Sequence, residues 1–279
     1  MDKLDRLGWA AGLAFDAYGL RIGVRVNRPE ALECLSERLP PGWKPSSSKI
    51  VDRLFSLWLG RPRGSARGYH LLYAGMVRRA RTLSLDEALD TLESDLRQTV
   101  AAFSRDRVFV HAGVVGWHGG AILIPGRSYS GKTSLVRELV RAGAVYYSDE
   151  FAVLDGRGRV HPFAKPLSIR EGALVRRCSA EELGGVCGVN PLPVRAIVLT
   201  GYRVAGHWRP VRLTPGQALL ALLAHTVPVR RRPRSALRAL QSAVSGAVVL
   251  KGVRGEADVA ARALLARLGA EAPAVARAS

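Results

Sequence analysis

The segment Gly126-Arg-Ser-Tyr-Ser-Gly131-Lys132-Thr133 constrains this chain more than any other. It fits the pattern G-x-x-x-x-G-K-[ST] at every fixed position, and that spacing has a mechanical reason. The glycines let the backbone fold into a nest whose N–H groups point at phosphate oxygens. A helix that opens there adds the positive end of its dipole. The lysine reaches the β- and γ-phosphates, and the hydroxyl after it can ligate Mg²⁺. The context agrees with the motif. Ala121-Ile-Leu-Ile-Pro125 reads as a buried strand leading into the loop. Leu135, Leu139 and Val140 give residues 131–142 an amphipathic helical stripe. A nucleoside triphosphate would therefore be lined by Gly126, Arg127, Ser128, Tyr129, Ser130, Gly131, Lys132, Thr133 and Ser134.

The rest of the chain supplies an α/β frame for that loop. Residues 108–115 read as a strand, Trp117-His-Gly-Gly120 as a turn, and residues 145–147 as a further strand. Residues 151–160 read as a hairpin with Asp-Gly at its turn. Strands are expected at 194–200, 208–213 and 247–251, and helices at 214–225, 235–245 and 256–268. Ahead of this stretch the chain reads as a small, mainly strand-built α+β unit. Residues 18–26 alternate as a half-buried strand does, and residues 29–39 read as a short helix opened by Pro29. Strand-like runs follow at 54–59, 69–73 and 76–81. Ser84 with Glu87 three residues on is a capping box for a helix carrying Leu85, Leu89, Leu92, Leu96 and Val100. The expected organisation is thus an N-terminal unit over residues 1–104 and a phosphate-binding domain over 105–279.

Asp149-Glu150 ends the strand after the loop's helix. In parallel α/β sheets ligands sit at the carboxyl ends of strands, so Asp149 should lie beside the phosphates. A carboxylate there can hold Mg²⁺ or accept a proton from an attacking hydroxyl. Asp149 lies 17 residues after Lys132 (149 − 132), too close for the intervening strands of motor-type ATPases.

Composition narrows the partners. The chain has 42 basic and 23 acidic residues, a net charge of +19, which favours acidic ligands such as nucleotides or acidic peptides. Only six of the basic residues are lysines. Such an arginine excess can come from base composition alone, and the charges are spread along the chain apart from Arg230-Arg-Arg-Pro-Arg234, so a nucleic-acid surface is not the expected reading. Cys34, Cys178 and Cys187 form no CxxC pair, as suits free thiols in a reducing cytosol. No apolar run approaches the ~18 residues of a membrane span, and the start does not look like a signal peptide. A cytoplasmic location is expected. Arg203 and Arg209, flanking Gly206-His-Trp208, read as a solvated hairpin, and His225 as a helix-end residue. Arg254 precedes the last helix, from where it could reach a nucleotide.

Over residues 107 to 172 the chain resembles the HPr kinase/phosphorylase family, and more closely its stand-alone HPr kinase-related proteins. The resemblance rests on His111-Ala-Gly113, the loop 126–133, Arg141-Ala-Gly143 and Asp149-Glu150, all at the family's spacing. It implies a P-loop HPr kinase C-terminal-like core, ATP with Mg²⁺ as cofactors, and Asp149 as the base that deprotonates a substrate serine. It implies Lys132 and Thr133 on triphosphate and metal, Glu150 as a further metal ligand in place of the family's second aspartate, and His111 near the phosphates. Three departures stand out. The loop interior Arg127-Ser-Tyr-Ser130 is bulky, and Tyr129 either stacks on a base or packs outside. The family's Glu-x-Arg-Gly segment appears only as Ser168-Ile-Arg170-Glu171-Gly172, where Arg170 is the candidate for the transferring phosphate. Residues 1–100 do not resemble the N-terminal domain of true HPr kinases, so neither HPr itself nor the phosphorylase reaction is implied.

The expected function is an ATP-dependent kinase acting on a serine of a protein or peptide. Stand-alone relatives are often linked to ribosomal-peptide modification, which suggests a precursor peptide as partner, and relatives are commonly oligomeric. The alternatives are a small-molecule kinase, a nucleotide-binding regulatory module without turnover, and, from the charge alone, a nucleic-acid-linked ATPase.

Overall fold

Short apolar runs separated by tight turns build two sheet-based units. The computed structural model describes residues 3–61, 67–127, 130–171 and 174–270, without the side chains of residues 170, 171, 174 and 175. It divides into Met1–Asp106 and Arg107–Ser279.

In the first unit, β1 (Ala11–Ala17) and β2 (Leu20–Val26) form an antiparallel hairpin. Tyr18 and Gly19 close it at φ 51° and 78°, as a two-residue type I′ turn requires. A tyrosine seldom takes positive φ, which is why the sequence suggests one strand from residue 18 and no turn there. The Tyr18 hydroxyl donates to the Pro41 carbonyl at 2.9 Å and helps to hold it. The sheet continues through β3 (Lys44–Ser46), β4 (Arg53–Trp58), β5 (His70–Ala74) and β6 (Val77–Thr82), in the order β3-β1-β2-β4-β5-β6. Residues 29–39 form two 3-10 turns, Pro29–Leu32 and Ser36–Arg38, in place of the expected helix.

Helix α1 (Leu85–Phe103) lies against β5 and β6 and buries Leu89, Leu92, Leu96 and Val100. Ser84 Oγ accepts from the Glu87 N–H at 3.3 Å. The return arm of the box is relayed. The Ser84 N–H donates to Thr82 Oγ1 (3.1 Å), whose hydroxyl donates to Glu87 Oε2 (2.5 Å).

The second unit opens with the hairpin of β7 (Val108–Trp117) and β8 (Gly120–Pro125), again turned by two positive-φ residues, His118 and Gly119. Then come α2 (Lys132–Arg141), β9 (Val145–Ser148), β10 (Phe151–Leu154), β11 (Val160–His161), β12 (Leu167–Glu171) and β13 (Leu174–Cys178). The chain ends in β14 (Val194–Tyr202), β15 (Val211–Arg212), α3 (Pro215–Leu223), α4 (Pro233–Val244), β16 (Val248–Arg254) and α5 (Ala257–Ala270). The main sheet runs β11-β10-β7-β8-β14-β16-β15, with β9 also on β7, while β12 and β13 pair separately. Strands β8, β14 and β16 are parallel. The expected strand at 208–213 pairs only at Val211 and Arg212; Pro210 has no N–H to give the ladder.

Alternation along β8 fills both faces of this sheet. Ile122 and Ile124 pack with Leu135, Val136 and Leu139 of α2 and Leu264 of α5. Ala121 and Leu123 pack with Leu222 of α3 and Leu240 of α4. Each fully buried aliphatic side chain contributes roughly 1.5–3 kcal/mol, so helices on both sides hold the strands that carry the loop. Two glycines set the position of α2. A Cβ at Gly113 would stand 2.5 Å from Val136 Cγ2, so its absence lets α2 close on β7. Gly143, at φ 97°, ends α2 in a Schellman motif, with Gly143 N–H on Val140 O (2.9 Å) and Ala144 N–H on Leu139 O (3.0 Å). Among the described residues no helix is long and apolar enough to cross a membrane.

Candidate active site

The loop after β8 is tied down at its start. The Gly126 N–H donates to the His111 carbonyl at 3.2 Å, and the Ser130 N–H to the Arg127 carbonyl at 3.2 Å. Gly126 is buried, and a Cβ there would come within 2.6 Å of Ser130 Oγ. Gly131 precedes α2 at φ 81°, and a Cβ on it would collide with Arg254 Nη2. Lys132 curls over the loop and donates from Nζ to the carbonyls of Gly126 (2.8 Å) and Arg127 (2.6 Å). Burial lowers the pKa of its ammonium, and the charges of Asp149 and Glu150 oppose that shift. Ser128 and Tyr129 lie outside the described residues.

Asp149 and Glu150 occupy the break between β9 and β10. Strand β10 pairs with residues 108–111 of β7, and β9 with residues 114–116 of the same strand. At the break, Ser148 Oγ accepts from the N–H groups of Glu150 (3.1 Å) and Phe151 (3.0 Å). This side-chain turn gives both N–H groups an acceptor at the break. β9 runs parallel to β8, both being antiparallel to β7, so the break lies at the carboxyl end of β8. Asp149 is almost fully buried there, with Thr133 Oγ1 donating to its Oδ2 at 3.3 Å. The Tyr146 hydroxyl donates to the Lys165 carbonyl at 2.8 Å and lies 3.3 Å from Asp149 Oδ1. Burial, reinforced by the Asp149 charge, raises the Tyr146 pKa well above its usual value, so the phenol stays a donor.

Lys165 completes the cluster, and the sequence reading missed it. Its Nζ lies 3.1 Å from Asp149 Oδ1 and 3.7 Å from Glu150 Oε2. An aromatic cluster fixes its position. Phe109, Phe151 and Phe163 meet edge to face with centroids 5.7–5.8 Å apart, and the Phe163 N–H donates to the Tyr147 carbonyl at 3.0 Å. One signal was available: in a chain with six lysines among 42 basic residues, a lysine is the exception, and both Lys132 and Lys165 sit here.

His111 stacks on Phe151 with centroids 4.7 Å apart, while its backbone N–H donates to the His225 carbonyl at 2.8 Å. Burial lowers the His111 pKa, and Lys132 and then His225 push it the same way. His225, expected as a helix-end residue, is lowered by burial and by Lys132 and Arg127, so both imidazoles border the loop. Arg254 is buried and donates from Nη2 to the Gly131 carbonyl at 2.8 Å. Arg170 lies on β12, paired with Val175, and its side chain is outside the described residues, as is Gly172. Exposed Ser134 lies on the first turn of α2, away from the core.

The donor set suits a hard divalent ion. Thr133 Oγ1, Asp149 and Glu150 offer oxygen only, and Mg²⁺ is commonly held by one or two carboxylates together with substrate phosphates. Among the described residues no group of three or more His, Cys, Asp or Glu side chains forms a metal cage, so phosphate oxygens and water would have to complete any such site. No protein-family model matches the sequence, and no curated protein matches it. Among solved structures the chain is similar to the Hpr(Ser) kinase/phosphatase from Coxiella burnetii, at 17% identity and a TM-score of 0.34, over 59% of this chain and 99% of that one.

Proposed function

We propose that residues 105–279 form an Mg-ATP-dependent kinase domain that transfers the γ-phosphate to a serine hydroxyl of a protein or peptide, in the cytoplasm. The observation that carries the reading is the 3.3 Å approach of Thr133 Oγ1 to Asp149 Oδ2. It joins the end of a glycine-bounded loop to a buried carboxylate, the pairing that phosphoryl transfer needs.

In this reading, the loop N–H groups and Lys132 hold the phosphates, and Lys132 leaves the carbonyls of Gly126 and Arg127 to do so. Asp149 accepts the proton of the attacking hydroxyl, oriented by Tyr146 and Lys165. His111, held neutral by its surroundings, lines the loop without adding charge. Thr133, Asp149 and Glu150 would hold Mg²⁺, which when bound neutralises charge on the phosphate oxygens. Arg170 remains the candidate for contact with the transferring phosphate.

The test is phosphate transfer from ATP by the purified chain with a pool of serine peptides, alongside ATP binding. Phosphopeptide formed by the wild type and lost in Asp149→Asn, with ATP bound by both, supports the kinase. Equal binding with no turnover in either protein leaves the regulatory nucleotide-binding module. Turnover with small hydroxyl compounds and none with peptides favours the small-molecule kinase.

A further inference from the structure

The first turn of α2 has two working sides. Thr133 faces Asp149. Ser134, the next residue and so about 100° further round the helix, lines a cleft of about 670 Å³ with Ser130, Tyr202, Arg254 and Glu256. That volume falls in the range of small-molecule sites. If the γ-phosphate lies at Asp149, as the kinase reading requires, a nucleotide crossing the helix start has its other end at this cleft.

The walls carry their own chemistry. Parallel pairing sets Tyr202 of β14 beside Arg254 of β16. Arg254 is 3% exposed and spends two nitrogens on the carbonyls of Gly131 (2.8 Å) and Gly255 (2.9 Å). Its Nε has no hydrogen-bond partner among the described residues. The guanidinium stands over the Tyr202 ring at 5.6 Å, and the Tyr202 hydroxyl donates to Glu256 Oε1 at 3.1 Å. The ring is thus fixed by a cation against it and a carboxylate at its edge, yet remains 51% exposed. A held aromatic surface suits a flat ring system. An acceptor-only carboxylate suits hydroxyl donors and repels a second phosphate.

We propose that this cleft is the nucleoside subsite, in which the Tyr202 ring stacks on the base and the Glu256 carboxylate accepts hydrogen bonds from the ribose hydroxyls. It rests on the phosphate loop holding a nucleotide, and the test separates the two claims. Affinities of the full chain are measured for Mg-ATP, for inorganic tripolyphosphate with Mg²⁺, and for 2′,3′-dideoxy-ATP with Mg²⁺. The wild type should bind ATP more tightly than tripolyphosphate. Tyr202→Leu should weaken ATP roughly tenfold, as loss of base stacking does, and leave tripolyphosphate unchanged. Glu256→Ala should remove the preference for ATP over the dideoxy analogue, since it leaves no acceptor there. Both side chains are exposed, so both variants should fold. Tripolyphosphate bound normally, with ATP indifferent to Tyr202→Leu, would overturn the subsite and leave the phosphate site standing. A wild type that binds neither ligand would overturn both.

Discussion

The two sides of the loop between β8 and α2 are built on opposite electrostatic plans. On the Asp149 side, two carboxylates and one lysine are drawn together and mostly buried. On the Tyr202 side, a buried guanidinium has no carboxylate in ion-pair contact among the described residues and meets carbonyl oxygens and a ring face instead. A buried charge is costly unless something compensates it. The first side solves this within itself. The second leaves a polar, half-open cleft. The contrast separates a side suited to moving charge during reaction from a side suited to holding a ligand.

Substitutions can break that division. Asp149→Asn keeps the shape of the acidic side and removes the proposed base, so turnover should fall by roughly 10²–10⁴-fold while the Kd for metal-free ATP changes little. Arg254→Lys should do the reverse. Lysine cannot fork onto the Gly131 and Gly255 carbonyls or back the Tyr202 ring as a planar group does. KM for ATP should rise about tenfold, equivalent to one lost charged hydrogen bond, with kcat near wild type. If Arg254→Lys instead abolishes kcat and leaves KM alone, the two sides are not separate, and steady-state kinetics on both variants decides it.

Lys165 tests how the acidic side is held. Removing one partner of a largely buried ion cluster leaves uncompensated charge. Lys165→Met should therefore cost roughly 3–5 kcal/mol of unfolding free energy without divalent ions. Added Mg²⁺ should return much of it, because an ion bound to the folded state alone stabilises by mass action. Denaturant melts of both proteins, with EDTA and with Mg²⁺, measure this. Equal melting with EDTA would show that Lys165 does not neutralise the pair.

What could be read from the sequence follows the distance between interacting residues. The loop, its helix and Gly143 depend on local geometry and were legible as spacing, while Gly113, whose role is a tertiary contact with Val136, was marked only by the family resemblance. The acidic pair was legible as the end of a strand, but the Ser148 turn that aims it was not, because a serine in that place has no distinctive pattern. Lys165 is 16 residues beyond Asp149 (165 − 149) and is brought back by the Phe109–Phe151–Phe163 cluster, a tertiary effect. Tyr202 meets Arg254 only through the register of two parallel strands. The first hairpin turn was hidden for another reason: Tyr18 takes positive φ where Asn or Gly would have announced it, whereas Gly119-Gly120 made the turn after Trp117 legible.

The smallest predicted effect is one of pH, and it belongs to the side of the loop that carries Lys132. Burial and the Lys132 charge lower the pKa of both His111 and His225. The unfolded chain takes up protons near an ordinary histidine pKa of about 6.5, while the folded chain resists until lower pH. Between those values the unfolded state binds more protons, so stability rises with pH. The contribution is fully present above about 6.5 and is lost as pH falls through the folded-state values. Denaturant unfolding from pH 8 to 5 should show this loss, with a shallower slope in His111→Gln. A triphosphate beside Lys132 should raise the histidine pKa values, so proton uptake on binding should be smaller in His111→Gln than in the wild type. The ligand's own protonation is common to both proteins and cancels in that difference. Tripolyphosphate should give the same difference as ATP, since the proposed nucleoside subsite is on the other side of α2; a difference seen with ATP alone would mean that the base, and not the phosphates, lies against His111.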